Sequence, residues 1–342
     1  MRKKKWYFIV LVPVLCLGFF YKKSLKKPLE GNFDRSFANY SLEIIDSLHL
    51  RTDVFGMQLS QNKIYINDGA SIRILNFSER TEKPLIYKNY TKEPIMSFGV
   101  DSSSIFYRIS NDEKIFYKSL QTNSINTFDF PFFAGDIVKI DKYKFLMQEL
   151  LPKTGATTLK IFDSSKKTIS KIDNILPNIE GGFMLTSGKW ISNYDAQNIF
   201  LTCYYLDEIY MFNNKGTLVR KIKPIDCSSE KTEVTFSGER YAFKGGTRMH
   251  RYASSANDKC LYVASSVFGN NEDLEKWKSN SVIDVYDIES NGNYSHSFYV
   301  PKYKQKRFTD IVVSNNDDLY VLYKNEIVHY KINIIKWIEN NL

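Results

Sequence analysis

A short β-strand pattern recurs six times along this 342-residue chain and limits the folds that it can form. Each copy alternates branched or aromatic residues with polar ones, as in Thr158-Leu-Lys-Ile-Phe and Val282-Ile-Asp-Val-Tyr. The copies begin at Ser71, Lys114, Thr158, Glu208, Val282 and Glu326, so their starts are 43, 44, 50, 74 and 44 residues apart. Such a period is typical of four-stranded blades arranged around a central axis. The pattern therefore predicts an all-β, six-bladed β-propeller.

The strands around each copy predict how the ring closes. Two strands precede every copy and a fourth follows the first five, clearest after the turn at residues 213–216, where Asn and Gly supply positive φ. The sixth unit lacks a fourth strand, whereas residues 40–50 form a strand with no partner before the first unit. We predict that this N-terminal strand completes the last blade and leaves no edge unpaired. The propeller would span residues 40–333, followed by a tail at 334–342.

The first 27 residues contain an apolar run at residues 6–20, bounded by Tyr21 and by lysine-rich flanks. This pattern predicts an N-terminal hydrophobic helix that acts as a signal anchor and crosses the membrane through residues 6–21. Cleavage of the segment and lipidation of Cys16 remain open. A long polar domain is translocated largely regardless of flanking charge, so we expect the propeller outside the cytoplasm, in the cell envelope. Residues 28–39 are predicted to be a linker.

The formal net charge of +9 is concentrated near the N-terminus. Eight of the 47 Lys and Arg residues lie in residues 1–27, which contain no acidic residue. The rest of the chain has 39 basic and 38 acidic residues and lacks the overall positive charge of a nucleic-acid-binding domain. We therefore expect no nucleic-acid partner.

Three cysteines follow the N-terminal segment, Cys203, Cys227 and Cys260, with no Cys-x-x-Cys spacing. This arrangement does not support zinc binding or redox exchange by known motifs. Buried free thiols are the expected state of Cys203 and Cys260, and a disulfide to Cys227 is left open.

Residues 207–222, DEIYMFNNKGTLVRKI, form an apolar strand, an Asn/Gly turn and a second apolar strand. This hairpin resembles a blade of the six-bladed NHL-like and TolB-like propellers, and the resemblance would cover about residues 40–333. With its N-terminal segment, the chain is similar to the membrane-anchored propeller proteins of bacterial envelopes. The resemblance implies the fold and the location, and it brings no universal catalytic motif.

Long connections predict one functional face. They lie at residues 151–157, 174–188, 227–246, 268–281 and 301–309, all on the side where chains enter the blades. The connections into blades 5 and 6 carry a predicted ligand-binding set: Arg240, Tyr241, Lys244, Arg248, His250, Arg251, Lys306 and Arg307. This set suits a carboxylate, a phosphate or an acidic polymer. A solvated set of charges balanced by nearby acids is the alternative interpretation.

Evidence for catalysis is weak, because the four histidines form no metal motif and no Gly-x-Ser-x-Gly turn occurs. Asp136 and Asp310 begin matching Asp-Ile-Val segments in the third and sixth units. They would face one another across the channel and could begin a calcium site, although such residues more often stabilise their own turns. The primary hypothesis is a non-enzymatic, membrane-anchored propeller that binds a partner protein or an anionic ligand, with no cofactor. The alternative is a metal-dependent, lactonase-like hydrolase.

Overall fold

The computed structural model describes residues 28–87, 93–110, 113–130, 134–151, 154–193, 197–228, 232–237 and 240–334. The predicted N-terminal hydrophobic helix, residues 1–27, and all of the predicted tail beyond residue 334 lie outside this part of the chain. In these ranges no helix combines the length and the apolar character needed to cross a bilayer.

Six four-stranded antiparallel sheets form the blades of the described fold. From the innermost strand outwards they are blade 1, β3 (Gly56–Ser60), β4 (Lys63–Asn67), β5 (Ser71–Asn76) and β6 (Thr81–Tyr87); blade 2, β7 (Ile95–Val100), β8 (Ser104–Ile109), β9 (Lys114–Ser119) and β10 (Ile125–Asp129); blade 3, β11 (Ala134–Asp141), β12 (Lys144–Leu151), β13 (Ala156–Asp163) and β14 (Thr168–Ile172); blade 4, β15 (Gly188–Ser192), β16 (Asn198–Cys203), β17 (Ile209–Asn213) and β18 (Leu218–Ile222); blade 5, β21 (Arg251–Ala256), β22 (Cys260–Ser265), β24 (Asn280–Asp287) and β25 (Asn293–Pro301); and blade 6, β26 (Asp310–Val313), β27 (Asp318–Tyr323), β28 (Glu326–Ile334) and β2 (Tyr40–His49). The predicted six-bladed architecture is confirmed.

Apolar side chains fill the spaces between neighbouring blades. Six clusters of buried residues are found in the described chain, one at each junction between successive blades, including the junction of blade 6 with blade 1. At that last junction Leu322 and Ile327 of blade 6 pack with Met57 and Ile64 of blade 1. Successive side chains of a strand point to opposite faces of its sheet. Each blade has a neighbouring blade on both sides, so both faces of its sheet contribute to the core. Packing as well as hydrogen bonding therefore closes the ring.

The N-terminal strand completes blade 6. Strand β2 runs antiparallel to β28, from the pair Tyr40 with Ile334 to the pair His49 with Glu326. Leu48 on this strand is buried in the cluster between blades 6 and 1. The predicted closure is therefore confirmed, and β28 has partners on both sides.

The turn predicted at residues 213–216 has the expected geometry. Gly216 adopts a φ of 76°, a conformation open to glycine at little steric cost. The side-chain oxygen of Asn213 accepts hydrogen bonds from the backbone N–H groups of Lys215 and Thr217, each at 3.0 Å. Local turn chemistry thus fixes the register between β17 and β18.

Additional elements gather on one side of the ring. They are β1 (Leu29–Glu30), α1 (Gly182–Leu185), β19 (Val234–Ser237), β20 (Arg240–Phe243), β23 (Val267–Phe268) and α2 (Leu274–Ser279). Helix α1 and the β19–β20 hairpin lie in the connections that enter blades 4 and 5, while β23 and α2 lie between the second and third strands of blade 5. All of these connections are on the side where the innermost strands begin. We call this side the decorated face.

Residues 28–39, predicted to be a linker, instead pack along blade 5. Strand β1 pairs in parallel with β23, and Phe37 forms a bridge with Ser297 of β25. The buried Arg35 guanidinium donates to both Asp284 carboxylate oxygens, at 2.7 and 3.1 Å, and forms an ion pair with Glu272. Burial alone would lower the pKa of Arg35, but these carboxylates raise it above its ordinary value. Arg35 is the only buried charged residue of this segment, and carboxylates of blade 5 neutralise it. The segment is therefore part of the folded unit.

Cys203, Cys227 and Cys260 are free thiols. Cys203 is fully buried beside blade 3, and this burial raises the pKa of its thiol to about 12. A buried thiol that stays protonated packs as a small apolar side chain and is a poor nucleophile.

Candidate functional site

The six innermost strands surround a central channel. On the side opposite the decorated face, the channel widens into a cavity of about 740 Å³ lined by hydroxyl and amide groups such as Ser254, Ser255 and Gln58 and by Trp190. A smaller cavity of about 170 Å³ lies at the decorated mouth. Gln58, Lys189 and Trp190 line both cavities, so the two cavities adjoin one another along the channel.

An ion pair crosses the decorated mouth of this channel. Lys189 on β15 of blade 4 contacts Asp310 on β26 of blade 6, and both side chains are largely buried. The second carboxylate oxygen of Asp310 accepts a hydrogen bond of 2.9 Å from the backbone N–H of Met57 in blade 1. Asp310 therefore connects three blades at the axis of the ring.

Asp136 lies in the same small cavity, at the start of blade 3. Burial raises the pKa of Asp136 to about 6, and the nearby Arg108 guanidinium opposes this rise only partly. Burial, together with the charges of Asp136 and Asp310, holds the pKa of the Tyr204 hydroxyl well above its ordinary value. Several ionisable side chains thus lie close together at the decorated mouth, and the pKa of each depends on the charges of the others.

The two aspartates predicted to begin a calcium site do share this cavity, but their surroundings do not fit calcium. One Asp310 oxygen faces Lys189, the other accepts from Met57, and Asp136 faces Arg108. Calcium binds six to eight oxygen ligands, and no group of three or more His, Cys, Asp or Glu side chains suited to a metal is found in the described part of the chain. We derive no metal-dependent step from this site.

The structure separates the predicted ligand-binding residues into several places. Arg240 is exposed on β20, and the neighbouring Tyr241 packs against Phe183 of α1 with ring centroids 6.0 Å apart. Lys244, Arg248 and His250 instead line a cavity of about 190 Å³ beneath residues 244–248. The β19–β20 hairpin therefore leans towards blade 4, away from the connection into blade 6.

Two of the predicted residues have structural partners in the interior. Arg251 is 1% exposed, and its guanidinium donates to Asp226 at 2.7 and 2.9 Å. Burial alone would lower the pKa of Arg251, but Asp226, Tyr286 and Asp207 together raise it above its ordinary value. The imidazole of His250 lies 3.0 Å from Asp207 and is also buried. These side chains fasten the start of β21 to blade 4, so an incoming ligand would not meet the Arg251 charge directly.

Lys306 and Arg307 lie in the connection into blade 6, next to α2. The Arg307 guanidinium is 4.4 Å from the ring centroid of Trp277 and donates to its carbonyl oxygen at 3.1 Å. Lys306 is exposed, and its backbone forms an isolated antiparallel β-bridge with Tyr303. Arg307 therefore packs against α2, whereas Tyr241 of the hairpin packs against α1, so the predicted set does not form one cluster.

Exposed apolar side chains on the decorated face were not predicted from the sequence. Ten large hydrophobic residues are exposed in the described chain, and five of them lie on this face: Phe55, Met96, Ile179, Phe236 and Leu274. Phe55 is 74% exposed and Phe236 is 58% exposed. On the opposite face only Tyr143 belongs to this exposed set of the described residues, because the other four lie on the outer strands β2, β10 and β18. Contiguous exposed apolar patches mark interaction surfaces, whereas single exposed apolar residues are common on any protein surface.

Comparison with known proteins supports the fold and no closer relationship. No protein-family model matches the chain, and no curated protein does. Among solved structures, a predicted exported protein of Bacteroides fragilis aligns with a TM-score of 0.54 and 14% identity over 90% of this chain and 98% of its own. A member of the DUF4221 family from Bacteroides vulgatus aligns with a TM-score of 0.51 and 12% identity over 86% of this chain and 98% of its own.

An enzyme has the same general fold. The virginiamycin B lyase of Staphylococcus aureus aligns with a TM-score of 0.51 and 13% identity, over 86% of this chain and 99% of its own. At such low identity the likeness establishes a propeller and nothing about chemistry, because one propeller scaffold hosts many activities.

Proposed function

We propose that this chain is a non-enzymatic propeller, anchored in the membrane through residues 6–21 and located outside the cytoplasm, that binds a partner protein or an anionic ligand through its decorated face. The observation that carries this proposal is the asymmetry of the ring. All six additional elements, and half of the exposed large apolar side chains among the described residues, lie on one face. Burial of such apolar groups against a partner is favourable, which supports a binding role for this face.

The location is supported by two observations of different kinds. The first is the apolar run between lysine-rich flanks, which is typical of a signal anchor. The second is the shared fold with a predicted exported protein, which is a likeness of fold only. Cell fractionation tests this part of the proposal: the protein should stay with membranes after alkaline carbonate extraction and should be digested by protease added outside the cytoplasmic membrane.

A photo-crosslinking amino acid at position 236 tests the binding face. Phe236 is 58% exposed on the hairpin, and Val219, which is 49% exposed on the outer strand β18, is the matched control. We expect adducts from position 236 in living cells and none from position 219. Equal adducts at both positions, or none at either, would refute a dedicated decorated face.

A further inference from the structure

The described chain begins on the decorated face, beside the loop at residues 244–248. Leu29 pairs with Val267 and lines the same small cavity as Lys244 and Arg248. From there the chain runs outwards along blade 5 to β2. The point at which the preceding residues join the propeller is therefore on the decorated face, held in place by β1 and by the buried Arg35.

The reach of the preceding chain limits how far this face can lie from a membrane. This step rests on the proposed anchoring through residues 6–21. Seven peptide steps separate Tyr21 from Pro28, and an extended chain covers at most about 3.6 Å per residue, or about 25 Å in all. A ring attached at its decorated face by so short a segment has that face near the bilayer surface.

The chemistry of the face matches a bilayer surface. Phe236 is presented at the hairpin, as aromatic side chains of peripheral proteins are at the membrane interface. Lys244 and Arg248 are exposed next to the attachment point, and a side chain at Gly245 or Gly246 would meet no atom within 4 Å. Open glycine backbone beside two cations can approach a phosphate closely. Lys244 pairs with Glu233 at 2.7 Å, but both are more than half exposed, and such pairs exchange partners readily.

We propose that the decorated face docks on the anionic phospholipid surface of the membrane that anchors the chain. Residues 244–248 take headgroup phosphate, and Phe236 enters the interfacial region. The ring then lies with its wide 740 Å³ cavity facing away from the bilayer and open to the surrounding compartment. Docking supplies the anionic ligand of the proposed function without a separate soluble molecule.

Amide hydrogen exchange on the full-length chain tests this inference. The protein is reconstituted in detergent, in phosphatidylcholine vesicles, and in vesicles with about a third phosphatidylglycerol. We expect exchange at residues 240–248 to slow at least fivefold in the anionic vesicles relative to detergent, with no change in the turns at residues 60–63 and 141–144 of the opposite face. Equal exchange in all three preparations, or protection of the opposite face, would overturn the proposal.

A charge-reversal pair separates docking from folding and from anchoring. The variant K244E/R248E should lose the protection in anionic vesicles, whereas K142E/K215E, at exposed positions of the opposite face, should retain it. Carbonate extraction of the same vesicles reports the anchor independently, so anchored protein without protection counts against docking alone. Protection that appears only after an envelope protein extract is added would also overturn lipid docking and would favour a protein partner.

Discussion

Lys189 in blade 4 forms an ion pair with Asp310 in blade 6 across the mouth of the channel, passing over blade 5. The two residues are 121 positions apart in sequence. With the hydrogen bond from Met57, this contact joins the innermost strands of three blades. Polar contacts therefore hold the channel mouth together, in addition to the apolar packing between the blades and the β2–β28 pairing that close the ring.

Replacing Lys189 with Met should destabilise the protein by about 2–3 kcal/mol. The change leaves the Asp310 carboxylate buried with no cation, and removal of one partner from a fully buried pair costs about 3–5 kcal/mol. Because Lys189 is 16% exposed, we expect the lower figure. Urea unfolding of the two proteins measures the difference. The double variant K189M/D310N should recover most of the loss, and a K189M protein as stable as the wild type would contradict the role given to the pair.

The stability contributed by Asp136 should depend on pH in an unusual direction. Burial raises its pKa in the folded protein to about 6, above the value near 3.8 of the unfolded chain. Between these values the folded state holds more protons, so a rise in pH through this window removes stability. The D136N variant carries no such charge and should exceed the wild type by about 2 kcal/mol at pH 7, since each pKa unit is worth about 1.4 kcal/mol and partial exposure lessens the effect.

Unfolding of the wild type and D136N from pH 4 to pH 8 measures this difference. The two free energies should approach one another as the pH falls towards 4, because Asp136 is then protonated in the folded wild type. A difference that stays constant across the range would show that folding does not raise the pKa of Asp136.

The R35M variant should release the segment at residues 28–39 and lower stability by about 3–5 kcal/mol. It leaves Asp284 and Glu272 buried without their cation. The matched control is R80M, because Arg80 pairs with Asp46 at 2.8 Å while 67% exposed, and such surface pairs are worth less than about 1 kcal/mol. Urea unfolding gives both values, and limited proteolysis should cut R35M near residue 35. Equal losses in the two variants would mean that the segment adds little to the fold.

The G188A variant should cost about 2–3 kcal/mol, a typical penalty for overpacking a close backbone contact. A methyl group there would lie 2.8 Å from the carbonyl carbon of Thr202 and 2.9 Å from the Cα of Cys203, both in the backbone of the adjacent strand. Gly245 offers the control, since its surroundings are open and G245A should change stability by less than about 0.5 kcal/mol. Thermal unfolding ranks the two, and the reverse order would contradict the packing described for blade 4.

The architecture was predictable because its signals are local and repeated. Strands of alternating apolar and polar residues occur in every blade. The strand at residues 40–50 could be placed beside β28 because the sixth unit lacked a fourth strand and this segment lacked a partner. The turn at Gly216 followed from turn chemistry alone.

The binding face was predictable only in outline. The long connections at residues 174–188, 227–246 and 268–281 do contain α1, the β19–β20 hairpin and α2. Burial within them could not be read from the sequence, because Arg251 meets Asp226 from a connection 25 residues earlier, and Arg35 meets Asp284 after 249 residues. In a sequence, a buried Arg and an exposed Arg look the same, and only the packed neighbours distinguish them.

The pairing of β2 with β28 also determines when the protein can mature. Strand β2 is synthesised first and its partner β28 last. Until β28 is available, the other five blades can stack, but the ring stays open with unpaired sheet edges. Contacts this distant in sequence form slowly, since a large loop must close before they contribute any stability. Closure of the ring therefore comes late in folding, and the open ring is prone to aggregate until residues 326–334 can pair with β2.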